Sequence, residues 1–169
     1  MLPHISTFPG EDLRTNSAAE VASWISIYEE LATVVRSVLV RKSGQDDAED
    51  LRRDLSWIEE RLARWRDRHA ELVGVVIDRK AHTVTYGGKA LRLTRREAEL
   101  LDFMLRHPGR PFTTRTLATL AWQNSRLSDA QVRTYMMRLR NRLRDVGLEH
   151  MITVVRNQGY GAETAEASG

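Results

Sequence analysis

The chain contains no cysteine, which excludes disulfide frameworks, thiolate zinc sites and cysteine nucleophiles. It has no apolar stretch approaching the length of a membrane span. The first sixteen residues are polar and broken by Pro3, Pro9 and Gly10, so they lack the apolar core of a signal peptide and are expected to be flexible. The histidines at 4, 69, 82, 107 and 150 are scattered, with no metal-ligand spacing. Gly87-Gly88 suits a hairpin turn rather than a phosphate loop, and no serine or acid pair stands in a catalytic setting. These absences argue against an enzyme and imply no cofactor, no metal and no membrane, with a cytoplasmic location expected.

What is present suits a soluble globular protein of one domain or two small ones: 169 residues, 41% hydrophobic and 29% charged. The net charge of +3 is unevenly spread. Residues 1–72 hold ten Lys/Arg and fourteen Asp/Glu, whereas residues 73–169 hold sixteen and nine. Fourteen of the latter sixteen are arginine, the side chain best matched to phosphate and guanine. An acidic half joined to a basic half fits a nucleic-acid module attached to something else.

The first half reads as two helices. Ser17 and Glu20 are spaced as a capping box, and Val21, Trp24, Tyr28, Leu31, Val35 and Val38 recur at steps of three and four. Arg41-Lys42-Ser43-Gly44 suits a helix C-terminus, and Asp46 or Asp47 a new N-terminus. Leu51, Leu55, Ile58, Leu62, Trp65, His69 and Leu72 repeat the rhythm. Residues 17–72 are therefore expected to form an antiparallel, coiled-coil-like hairpin. Because two helices make a thin core, and Ile25, Ile27, Val34 and Leu39 widen the first helix's apolar surface, a homodimeric four-helix bundle is expected. The seam residues Val21, Trp24, Tyr28, Leu31, Val35, Leu55, Ile58, Leu62 and Trp65 would be its contacts, and packing on the C-terminal half is the competing arrangement. Trp24, Trp57 and Trp65 read first as core anchors, although with Tyr28 they could also line an effector pocket. His69 reads as a core or register residue, with a pH-sensitive interface as the alternative.

The period changes after Leu72. An apolar run over 72–77, alternation at Val84 and Tyr86, and again at Leu91 and Leu93, predict three short antiparallel strands turning at Gly87-Gly88. Thr94 to Glu97 forms a capping box that opens a helix with Ala98, Leu100, Leu101, Met104 and Leu105 inside; His107-Pro108-Gly109 stops it. Thr113 or Thr114 caps a second helix holding Leu117, Leu120 and Trp122, and Ser128 or Asp129 starts a third. Residues 152–155 and 160–162 can pair as a closing hairpin, and the tail 163–169 is expected to be disordered.

The third helix, 128–146, carries the informative chemistry. Burying Val132, Met136, Leu139, Leu143 and Val146 puts Arg133, Thr134, Met137, Arg138 and Asn141 on the opposite side, with Gln131, Tyr135, Arg140, Arg142 and Arg144 flanking. Arginine pairs bidentately with guanine, and other arginines hold phosphates and set register. A solvated helix face is the plainer alternative for this segment alone.

The order of elements, with Leu93-Thr94-Arg95-Arg96-Glu97, Leu100-Leu101, Pro108-Gly109-Arg110, Trp122, Arg138-Leu139-Arg140, and Val154-Val155-Arg156 leading to Gly159-Tyr160, resembles the winged helix-turn-helix domain of OmpR/PhoB-type bacterial response regulators over about Val73 to Ala162. An α+β architecture follows, a helical hairpin and then a winged domain. The resemblance implies base contacts from Arg133, Thr134 and Arg138, and phosphate contacts from Gln131, Tyr135, Arg140 and Arg142. Arg156 matches the wing arginine that enters the minor groove, and Tyr160 matches a tyrosine that supports the wing. Residues 123–127 match a segment through which relatives touch RNA polymerase. A sequence-specific DNA-binding regulator, nucleoid-associated, is the function implied. A protein-interaction adaptor that binds a sigma factor, polymerase or another regulator through the hairpin is the alternative. Three positions depart from the family pattern: Met137 replaces a commonly basic residue, Asn157 a glycine, and Gly161 an often basic residue. The first 72 residues lack the strand–helix alternation of a receiver domain, so control by aspartyl phosphorylation is not expected.

Overall fold

In a computed structural model of the chain, residues 7–42, 48–124 and 126–163 are described. The helix break at Ser43-Gly44, the caps at Asp46 and Asp47, Ser125 of the 123–127 loop, and residues 164–169 of the tail lie outside them. The chain divides into two compact units, residues 1–72 and 73–169.

The first unit is built on α1 (Ala18–Arg41) and α2 (Ala48–Val73). Ser17 caps α1 by accepting the Glu20 N–H, but the expected box is only half made. The Glu20 carboxylate instead takes the Thr15 hydroxyl at 2.6 Å, and the Ser17 N–H goes to Thr15 Oγ1. Cross-helix ion pairs fix the antiparallel sense: Glu29 meets Arg66 at 2.8 Å, and Arg36 meets Glu59 at 2.6 Å. Advancing seven residues along one helix thus retreats seven along the other, which keeps the same faces together for two turns.

The stripe that α1 buries is Val21, Ile25, Tyr28 and Ala32. It keeps the three-and-four step but passes through Ile25 and Ala32, leaving Trp24 and Leu31 half-buried beside it. On α2, Ile58, Leu62, Trp65 and His69 are buried as the periodicity predicts. Val21, Tyr28, Ile58, Leu62 and Trp65 are buried inside the chain's own hairpin, with Trp24, Leu31, Val35 and Leu55 half-buried against them. Within residues 8–16, Phe8 and Leu13 pack on the hairpin core.

The second unit opens with an antiparallel sheet ordered β1 (Val76–Asp78), β2 (Thr83–Tyr86), β3 (Lys89–Arg92). Leu72 and Val73 close α2 rather than open a strand, and Gly74 follows at φ +69°, a left-handed residue suited to ending a helix. The β2–β3 turn has Gly87 and Gly88 at φ +55° and +76°, the positive pair that a two-residue hairpin demands. Then come α3 (Arg95–Arg106), α4 (Thr114–Trp122) and α5 (Asp129–Leu143), a 3-10 turn (Arg144–Val146), and a hairpin of β4 (Ile152–Val155) and β5 (Gly159–Ala162). Thr94, Thr113 and Ser128 are the helix caps, with complete capping boxes at Thr94/Glu97 and Ser128/Gln131. Within the core lie Leu100, Leu101, Met104, Leu117, Val132, Met136, Leu139, Leu143 and Ile152. Leu120 is the exception on α4, standing exposed while Ala118 fills the buried position.

Candidate nucleic-acid interface

The α3–α4–α5 core holds α5 so that one side of it is sealed. Val132, Met136, Leu139 and Leu143 are buried, and this stripe needs i, i+4, i+7 and i+11, so Arg133, Thr134, Met137, Arg138 and Asn141 must face outward. They do, and all five are exposed. Two polar ties join these three helices, one between α4 and α5 and one between α4 and α3. Thr114 at the start of α4 donates its hydroxyl to Asp129 at the start of α5 (2.7 Å), and Trp122 at the end of α4 donates its indole N–H to the Arg96 carbonyl (2.9 Å). The Trp122 ring also lies 5.2 Å from that of Tyr135, over which the Arg96 guanidinium sits at 5.4 Å.

The arginines of this unit divide by partner. Arg133, Arg138, Arg140, Arg144 and Arg156 form no ion pair or side-chain hydrogen bond among the described residues, and all are exposed. Arg142 differs. Its Nη1 lies 3.1 Å from Oε2 of Glu97, a carboxylate with only 5% of its side chain exposed, and its Nη2 donates to the Arg92 carbonyl. The guanidinium expected at a phosphate is thus occupied in tying α5 to α3 and β3. Gln131 uses its carbonyl oxygen to complete the cap of α5, leaving its amide N–H groups outward at the helix N-terminus. Thr134 donates its hydroxyl to the Ala130 carbonyl at 2.9 Å, so it offers a lone pair and a methyl group rather than a donor. Tyr135 is half-buried by its ring contacts.

The closing hairpin places Arg156 at its exposed tip, where Asn157 adopts φ +62°. Asparagine tolerates this left-handed conformation, which explains how it can stand where the resembled family has glycine. The hairpin is anchored near its turn, along the outer edge of β5, by a two-way bridge: the Phe112 N–H donates to the Tyr160 carbonyl (2.8 Å), and the Tyr160 N–H to the Phe112 carbonyl (2.9 Å). Gly159 makes the bridge possible. A Cβ there would stand 2.0 Å from the Phe112 oxygen, and its φ is +106°. Between α5 and this hairpin runs a groove whose polar lining is Arg133, Arg140, Asn141, Arg144, Glu149, His150 and Tyr160, with Met136 and Met137 beside them. Glu149 and His150 are lining residues that the α5 periodicity could not flag, because they lie in the loop between α5 and β4.

Residues 88–162 match the family model described as "Transcriptional regulatory protein, C terminal". The chain is 38% identical over 93 residues to the transcriptional regulatory protein AfsQ1 of Streptomyces coelicolor, covering 54% of this chain and 41% of that protein. It is 32% identical over 95 residues to the phosphate regulon transcriptional regulatory protein PhoB of Escherichia coli, covering 56% and 42%. The chain therefore spans about two fifths of the length of these relatives. Among solved structures, the DNA binding domain of response regulator AdeR, crystallised with an intercistronic region, aligns at 28% identity and a TM-score of 0.48, covering 53% of this chain and 93% of that one. Among the described residues, no helix is long and apolar enough to cross a membrane.

Proposed function

We propose that residues 88–162, which match the C-terminal domain of transcriptional regulatory proteins, are an OmpR/PhoB-type DNA-binding domain, and that the chain is a sequence-specific transcription regulator with α5 in the major groove and the 156–160 turn in the adjacent minor groove. The observation that carries the reading is the outward row of α5: Arg133, Thr134, Met137, Arg138 and Asn141 stand exposed on a helix whose opposite side is sealed by Val132, Met136, Leu139 and Leu143. In it, Arg133 and Arg138 take guanine edges, Thr134 and Met137 lie against thymine methyl groups, and Arg140, Gln131 and Tyr135 hold phosphates. Arg156, on a narrow turn, suits the negative potential of a narrow minor groove. Selection of bound duplexes from a random-sequence library by the full chain tests this. Enrichment of one motif is expected, and Arg138→Ala costs about 1–3 kcal/mol at that motif while relaxing preference at one base pair. No enrichment at about 0.15 M salt removes the reading.

Dimerisation is part of the proposal, but through a face other than the heptad seam. Ile27, Val34 and Val40 are 42%, 59% and 78% exposed on α1, among Ser23, Ser26, Thr33 and Ser37, with Glu30 and Arg41 the exposed charges nearest them. Apolar side chains amid small uncharged ones suit close helix–helix approach. Sedimentation of the native chain and of Val34→Asp checks this face; a variant that sediments like the native chain removes it.

A further inference from the structure

Residues 8–11, Phe-Pro-Gly-Glu, make a tight turn. The Glu11 N–H donates to the Phe8 carbonyl at 3.0 Å, with proline second and Gly10 third at φ +83°. That is the type II pattern, which requires a glycine-like third residue. The Phe8 N–H in turn donates to Glu11 Oε2 at 3.0 Å, so the turn holds a ring and a carboxylate in fixed relation.

Both groups are received by the helices. Three donors converge on Glu11 Oε1: the Tyr28 hydroxyl of α1 at 2.9 Å, and from α2 Arg61 Nε at 2.7 Å and the Trp65 indole N–H at 2.8 Å. The Glu11 side chain is fully buried there. The Phe8 ring lies 5.7 Å from Tyr28, 6.0 Å from Trp57 and 6.4 Å from Trp24, all centroid distances. Burial alone would push the Glu11 carboxyl up, but the hydrogen bonds from Arg61, the Phe8 backbone, Trp65 and Tyr28 outweigh it and hold the group below the usual range, hence ionised. The same packing pushes the Tyr28 phenol well above its ordinary value, through burial first and the Glu11 carboxylate second, so it stays a donor.

A hairpin core has no need of such an arrangement, since apolar side chains would fill the space without desolvating a carboxylate and a guanidinium. What the two helices present to residues 8–11 is three donors beside an aromatic wall, and what fills it comes from an irregular segment preceding α1. We propose that the hairpin carries a binding site for an aryl carboxylate, a small molecule with an aromatic ring and an ionised carboxyl a few bonds apart, and that residues 8–11 are its internal occupant. The segment is held at its other end as well: Arg68 donates to the Thr15 carbonyl at 3.0 and 3.1 Å and to Asn16 Oδ1 at 2.8 Å. A tethered occupant acts at millimolar effective concentration or more, so an external ligand meets a competitor in the native chain and little competition once the segment is loosened. The site belongs to residues 1–72 and stands independently of the DNA-binding reading.

The test uses the full chain, with 3-phenylpropanoate as probe and tryptophan fluorescence as readout; Trp122, in the other unit, is a constant background. With Phe8→Ala and Glu11→Gln combined, saturable quenching is expected, at least about ten-fold tighter than for the native chain. 3-Phenylpropanamide gives no saturation, and adding Arg61→Gln abolishes the response. Should the double variant lose its helical circular dichroism, Arg68→Ala replaces it, freeing residues 14–16 while leaving every donor of the site in place. That variant must bind 3-phenylpropanoate more tightly than the native chain does. A folded variant that shows no saturation up to about 10 mM, that responds equally to acid and amide, or that binds no better than the native chain overturns the proposal.

Discussion

Replacing Arg142 by alanine separates two roles that an arginine can have on a helix proposed to face DNA. Its guanidinium bridges the Glu97 carboxylate and the Arg92 carbonyl, so truncation leaves a carboxylate that is 5% exposed with the Thr94 N–H as its remaining partner in the capping box. Breaking a fully buried pair costs roughly 3–5 kcal/mol. Arg142 itself is 39% exposed, and water can replace part of the lost bond, which reduces the expected cost to about 1–2 kcal/mol. For a unit of this size, a loss of that magnitude lowers Tm by roughly 5–15 °C. Binding should respond differently. Since Arg142 is spent inside the protein, the slope of log K against log salt stays where it was, whereas Arg140→Ala, which removes an exposed and unpaired guanidinium, reduces that slope by about 1. Differential scanning calorimetry and duplex binding from about 50 to 200 mM salt read both effects. An Arg142→Ala protein that melts with the native one and loses about one unit of salt slope would refute the reasoning, because the guanidinium would then have to leave Glu97 for a phosphate.

Two further perturbations follow from close packing and burial. Gly159→Ala forces a methyl group into the Phe112 carbonyl at a left-handed backbone position, so the Phe112–Tyr160 bridge must open; thermal melting should register at least about 2 kcal/mol of destabilisation, and a neutral outcome would mean that bridge is dispensable. His69 is 3% exposed with Nε2 unpartnered, and burial brings its pKa down to about 4. The unfolded chain takes up that proton near pH 6.5 while the folded one does not, so stability is full above this value and is lost as pH falls toward 4, by about 2 kcal/mol at pH 5. Urea midpoints at pH 7 and pH 5 should differ less in His69→Leu than in the native chain; equal differences would remove His69 as the cause.

The elements that could be read from sequence are those whose signals are local. A capping box is decided within four residues, and Thr94/Glu97 and Ser128/Gln131 close as their spacing predicts. The stripe of α5 was legible because four buried positions at helical spacing leave one choice of outward face. On α1, by contrast, the apolar surface is wide enough to admit two stripes. Trp24 and Leu31 satisfy the heptad as well as Ile25 and Ala32 do, and packing against α2 selects the second because small Ala32 sits in the seam while Trp24, beside it, stacks on the Trp65 ring with centroids 5.9 Å apart. The fate of Arg142 was hidden for another reason: its partner is 45 residues distant, and nothing in the α5 periodicity marks one flank as facing Glu97. Residues 8–16 look polar and breakable, and only the convergence of Tyr28, Arg61 and Trp65 shows why Pro9-Gly10 is a turn with an anchored end.

Arginine count was the earliest hint of a nucleic-acid partner, and the structure shows why a count cannot be decisive. In the hairpin, Arg36, Arg61 and Arg66 are matched with Glu59, Glu11 and Glu29, so their charge is neutralised within the fold. Arg142 is matched with Glu97. Around α5 the acids that could do the same are few, and one of them, Asp129, already accepts from Thr114. Arg133, Arg138, Arg140 and Arg144 are therefore left as four like charges along a single helix and the turn after it, a self-repelling arrangement that external anions relieve. A phosphate backbone supplies such anions at regular spacing, and their counterions are released when the arginines replace them. On the proposed reading, what sets Arg133, Arg138, Arg140 and Arg144 apart from Arg142 is that they share one helix and the turn after it, stand exposed, and form no ion pair among the described residues.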